Sequence, residues 1–110
     1  MKVTEDVRVK AGHYGYNETF YYKDSDGNVV ELNDYTAKFK VWPAGVPDDL
    51  LVEGSCDIPD PDNGVLQYAV QEGDFEADDV GKDWKYEIEI SKDGVVDGCI
   101  TGNLFVEESG

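Results

Sequence analysis

The chain has 110 residues, 25 acidic and 9 basic, for a formal charge of −16. The length suits a single domain over 1–110, at about 100–200 residues per domain. Leu, Ile, Val and Phe number 27, enough to build a core despite the charge. So acidic a chain argues against binding to nucleic acid or an anionic membrane, because both need a basic footprint.

The charge is uneven, −4 over residues 1–55 and −12 over residues 56–110. Such a surface favours solubility and sensitivity to salt, and fits a basic partner, a cation-rich environment or simply high salt tolerance. From Met1 to Asp6 the chain runs straight into charge, with no apolar leader of the kind a signal peptide needs. No stretch approaches the ~18 apolar residues of a membrane-spanning helix.

Val, Ile and Thr number 22 against 11 for Leu, Ala and Met, a balance that favours strands. In chain order, strands are expected over 3–9, 18–23, 29–32, 37–42, 50–56, 65–70, 84–91, 95–100 and 104–107. Alternation is clearest in Trp84-Lys85-Tyr86-Glu87-Ile88-Glu89-Ile90-Ser91, where every even position is large and apolar. Ala37-Lys38-Phe39-Lys40-Val41-Trp42 alternates the same way until Pro43. Asp-Gly pairs at Asp26-Gly27 and Asp93-Gly94 mark hairpins, and Asp62-Asn63-Gly64 turns into Val65. Residues 71–80 have room for one helical turn; 43–47 and 59–61 read as proline-bearing loops. The expected architecture is all-β, an antiparallel immunoglobulin-like β-sandwich of about 7–9 short strands, with a closed barrel as the alternative.

Chemistry-bearing residues are sparse. His13 is the single histidine and lies in the glycine-punctuated Gly12-His13-Tyr14-Gly15-Tyr16. No nucleophile-elbow pattern surrounds Ser25, Ser55, Ser91 or Ser109, so no catalytic residue is assigned and no enzyme is expected. Cys56 and Cys99, too far apart in sequence for a zinc knuckle, read as two reduced thiols, with a disulfide between them as the alternative.

Asp24, Asp26 and Asn28 place oxygen ligands at alternate positions, as a calcium loop begins. Val29 then stands where an EF-hand needs Gly, and Tyr35 where it needs Glu. Asp60 and Asp62, beside Asp57 and Asn63, form a second acidic group. These are weak candidates for a loosely held Ca²⁺, competing with the ordinary role of Asp and Asn in turns. Beyond such weak Ca²⁺ binding no cofactor is expected. Tyr14 and Tyr16, flanked by glycines, are the aromatic residues expected to be exposed for contact, whereas Phe20, Tyr22, Phe39 and Trp84 alternate as core residues.

The run Phe20-Tyr21-Tyr22-Lys23-Asp24-Ser25-Asp26-Gly27-Asn28-Val29-Val30-Glu31-Leu32, followed by Ala37-Lys38-Phe39-Lys40-Val41, resembles the N-terminal domain of phage baseplate upper proteins. Gly64-Val65-Leu66-Gln67-Tyr68, the acidic stretch with Asp74 and Asp79, Gly81, the strand from Trp84 to Ile90 and the Asp93-Gly94 hairpin continue the match. It covers about residues 18–106. The resemblance implies an Ig-like, non-enzymatic module for assembly or attachment in a phage tail or baseplate. Its partners would be other virion proteins, basic ones among them, with a homo-oligomer as a further option. It would be made in the host cytoplasm and end in the virion. Two other functions fit the residues: a glycan- or Ca²⁺-binding adhesion sandwich, and an acidic mimic of DNA.

Overall fold

The computed structural model describes residues 2–108; Met1, Ser109 and Gly110 lie outside them. It is an all-β protein. Eight strands follow in order: β1 (Lys2–Thr4), β2 (Val7–Lys10), β3 (Asn17–Tyr21), β4 (Tyr35–Pro43), β5 (Val52–Asp60), β6 (Val65–Ala69), β7 (Trp84–Lys92) and β8 (Val95–Glu107). The pairing order is β1-β8-β7-β4-β5-β6-β3, with β2 also on β8.

The expectation of a purely antiparallel arrangement is corrected at one edge. β1 and β2 both run parallel to β8, while every other strand pair is antiparallel. The expected strand over 3–9 is broken at Glu5–Asp6, yet both halves keep one register, Thr4 opposite Thr101 and Val7 opposite Leu104. The two strands expected over 95–100 and 104–107 are one long strand, β8. Residues 29–32 form no strand; Val29 makes only a bridge to Lys23. Pro59 lies inside β5, and Pro61 opens a short 3₁₀ turn, Pro61–Asn63. A second 3₁₀ turn, Ala77–Asp79, fills the stretch where a helical turn was expected.

The sheet curls because β5 changes partners along its length. Val52–Cys56 pair with β4, and Asp57–Asp60 with β6, across a register shift. Pro59, with no N–H to give to a ladder, sits where that irregularity needs no bond. The curl brings β3 and β6 to face β4 and β7. Phe39 stacks on Tyr68 at 4.4 Å, and Phe20 lies 5.9 Å from Tyr86 and 6.4 Å from Phe39. Around this aromatic centre Val41, Leu66, Ile88, Ile100 and Leu104 are fully buried. Alternating side chains of β4, β6, β7 and β8, with Phe20 of β3, supply it, as the period-two pattern requires.

Turn chemistry sets the register at the ends. Asp93 (φ +53°) and Gly94 (φ +79°) form the two-residue link between Lys92 and its partner Val95. Two successive positive φ values match a type I′ turn, whose twist suits a hairpin.

Candidate interaction surface

The strand connections gather at two ends of the curled sheet. One end holds the segment 22–34, the turn 61–64 and the Asp93-Gly94 hairpin. Tyr22 and Leu32 tie the first two together through backbone bonds to Gly64 and Pro61 (both 2.8 Å). The other end holds 11–16, 44–51 and 70–83, joined by bonds from Gly12 to Phe75 (2.7 Å), Gly15 to Val70 (2.9 Å) and Ala44 to Asp83 (2.9 Å).

Both acidic groups named as Ca²⁺ candidates fall at the first end. The carboxylates of Asp24, Asp60 and Asp62 are engaged in local hydrogen bonds. Asp24 Oδ1 accepts from the amides of Asp26 (3.0 Å) and Asn28 (2.9 Å). Asp60 accepts from Asn63 at 2.9 Å, and Asp62 from Asn33 at 2.8 Å. Among the described residues no three His, Cys, Asp or Glu side chains converge to hold a metal ion.

Tyr14 is 55 % exposed, as expected. Tyr16 differs: it packs half-buried against the core, and its carbonyl receives the amide of Val70 at 2.9 Å. Burial and the nearby Glu18 charge push its hydroxyl above the usual tyrosine range. His13 lies exposed in the same loop, its amide bonded to Lys10. Phe20, Tyr22, Phe39 and Trp84 are all buried.

The two cysteines are free thiols. Cys56 pairs with Ala37, which pairs with Ile90, which pairs with Gly98 beside Cys99. Three strand spacings of about 4.8 Å put them far beyond disulfide reach. Burial, then the Asp57 charge, pushes the Cys56 thiol up to about 12.

Charge is sorted by position. On the outward face of β4, β5 and β7, Lys38 and Lys40 have acidic partners. Lys40 meets Glu89 at 2.6 Å and Lys38 meets Glu53 at 3.5 Å. Lys85 bonds Asn103 across to β8. By contrast the connection over 70–83 carries six carboxylates and one base, Lys82.

The acidic connection is rigidly built. Phe75 is 2 % exposed and anchors it in the core. Glu76 and Asp79 form a reciprocal capping box, with the Glu76 amide donating to Asp79 Oδ2 at 2.9 Å. The indole N–H of Trp84 donates to the Asp79 carbonyl at 2.9 Å. Between this connection, the end of β2 and the end of β8 lies a cleft of about 420 Å³, lined by Ala11, Gly12, Glu76, Ala77, Val80 and Glu108. None of these residues stood out in the sequence. The spacing Glu76-x-x-Asp79 was the one available signal, since it has capping-box form, but a capping box marks a helix start and not a cleft.

The fold and this surface define a class no narrower than an all-β protein with a strongly acidic surface. No family model matches the chain, and no curated protein matches it.

Proposed function

We propose that this protein is a non-enzymatic Ig-like module of a phage tail or baseplate, working through contacts with other virion proteins. The observation that carries the reading is the strand order, taken with the sequence resemblance over about 18–106. β3 beside β6, facing β4-β7-β8, corresponds to the B·E and C·F·G neighbours of an immunoglobulin sandwich. The first half of β5 then takes the place of the extra strand beside C in variable-type domains. Trp84, at the start of β7, bonds back to the preceding corner as the tyrosine-corner residue does at strand F. These correspondences support a sandwich in which loops and strand edges are the working parts.

Electrostatics supports a protein partner with basic surface. Complementary charge speeds encounter and selects partners, more than it adds raw affinity. The test is immunogold labelling of particles purified from producing cells with antibody to this chain. Label on tails or baseplates is the expected result. Purified particles free of label, with the protein left entirely in the soluble lysate, would sink the reading.

A further inference from the structure

We propose that the cleft between Ala11, Ala77 and Glu108 receives an arginine side chain from a basic protein partner. This rests on the assembly-module reading and adds to it a site and a chemistry.

The cleft has the two parts that a long cationic side chain needs. Ala11, Ala77 and Val80 supply apolar lining, and Glu76 and Glu108 supply carboxylates. An arginine stem is apolar and packs along such a lining, while its head stays at a polar margin. The planar guanidinium carries five donors in a fixed fork and bridges two carboxylates, which a lysine ammonium does less well. The volume of about 420 Å³ lies at the small end of the roughly 300–1,000 Å³ span of ligand clefts. It suits one side chain with its flanking backbone.

Three of the protein's own cations pair away from the cleft. Among the described residues the ion pairs are Arg8–Glu107, Lys38–Glu53 and Lys40–Glu89, so neither Glu76 nor Glu108 has a cationic partner, and the Asp79 amide engages only part of the Glu76 carboxylate. Arg8, which shares neighbouring β2 with Lys10, also lies over the Phe105 ring at 4.7 Å. The walls are held in place before any partner arrives. Ala11 bonds to the carbonyl of Glu107 (2.9 Å), Gly12 to that of Phe75 (2.7 Å), and the capping box fixes Glu76. Little ordering would then be left to oppose binding. The charge complementarity extends beyond the cleft, because the adjoining 70–83 connection is itself acidic.

The experiment is an NMR titration of the ¹⁵N-labelled full chain at low salt with a blocked Ala-Ala-Arg-Ala-Ala peptide. The same peptide with citrulline in place of arginine, equal in shape and uncharged, is the control. Saturable shifts centred on the amides of Gly12, Ala77 and Val80, given by arginine and at least ten-fold weaker with citrulline, are expected. Glu108→Gln, at an exposed position outside the capping box, should weaken binding about five-fold. Ala77→Leu, also exposed, should abolish it by filling the cleft. Shifts scattered over all the acidic loops without saturation, equal response to citrulline, or unchanged affinity in both variants would overturn the proposal. Those outcomes would leave the particle-labelling result intact, since a module could dock through another surface.

Discussion

The Tyr86 hydroxyl, 81 residues along the chain from Glu5, donates a 2.6 Å hydrogen bond to the Glu5 carbonyl. The bond sits at the break between β1 and β2. There the Glu5 amide reaches Thr101, and the Asp6 carboxylate caps the amide of Asn103 at 3.1 Å. Gly102 completes the arrangement, because a Cβ at that position would overlap the Glu5 carbonyl oxygen. The parallel edge is therefore locked through a kink and not through a continuous ladder.

Tyr86→Phe should cost about 1–2 kcal/mol, from one lost bond and a carbonyl left poorly satisfied. Gly102→Ala should cost more, since backbone and not a flexible side chain must move. Thermal melts of both variants check this, with a fall of about 4 °C or more per kcal/mol. Gly102→Ala melting no lower than Tyr86→Phe would contradict the packing described.

Glu18 and Glu5 lie at facing edges of the curled sheet, and both carboxyls are held above their ordinary 4.5. Burial is the main cause for each, with the Glu5 charge adding to Glu18. A carboxyl raised on folding penalises the folded state when ionised. Stability from this source is full below about 4.5 and is lost as pH rises through the folded value. Glu18→Gln should therefore melt higher than the parent at pH 7, with the gap closing towards pH 4.5. Comparing the two proteins removes the general self-repulsion of a −16 chain, which both share apart from one charge. A gap independent of pH would show that ionisation of Glu18 plays no part.

Trp84→Phe removes the donor to the Asp79 carbonyl and leaves space beside a residue only 6 % exposed. The expected cost is about 1–3 kcal/mol. Because Asp79 belongs to the capping box, hydrogen exchange should quicken locally over 76–80 as well. Uniform loss of protection across the molecule would point to general core damage instead.

The thiols should react in two phases with a disulfide reagent at pH 8. Burial raises both thiols, Cys56 to about 12, so Cys99, the less buried, is modified first and Cys56 far more slowly. Two equally fast thiols in the native protein would place Cys56 in a different environment.

Much of the fold is legible in local pattern. β4 and β7 follow from strict alternation, and the Asp93-Gly94 turn from residues that tolerate positive φ. Residues 29–32 misled for a physical reason. They read as extended and apolar, but Val30 bonds back to Tyr22 and Leu32 to Pro61, so the segment pairs within its own loop and with the turn at Pro61–Gly64 and not with a strand. The candidate surface was far less readable. Tyr14 projects from the loop between Gly12 and Gly15 and is exposed, while Tyr16, in the same setting, is drawn inward by pairing with Val70. The cleft draws on three segments separated by dozens of residues, so no local spacing could announce it.

The sequence by itself determined the all-β class, the core side chains of β4 and β7, the hairpin turn and the acidity, because alternation, turn preference and charge are properties of neighbouring residues. Only the tertiary structure decided that β1 and β2 run parallel to β8, that β5 bridges two sets of partners, that Cys56 and Cys99 stay apart, and that Glu76 and Glu108 share a cleft. Those outcomes depend on which strand edges meet, and that is settled by packing between residues distant along the chain.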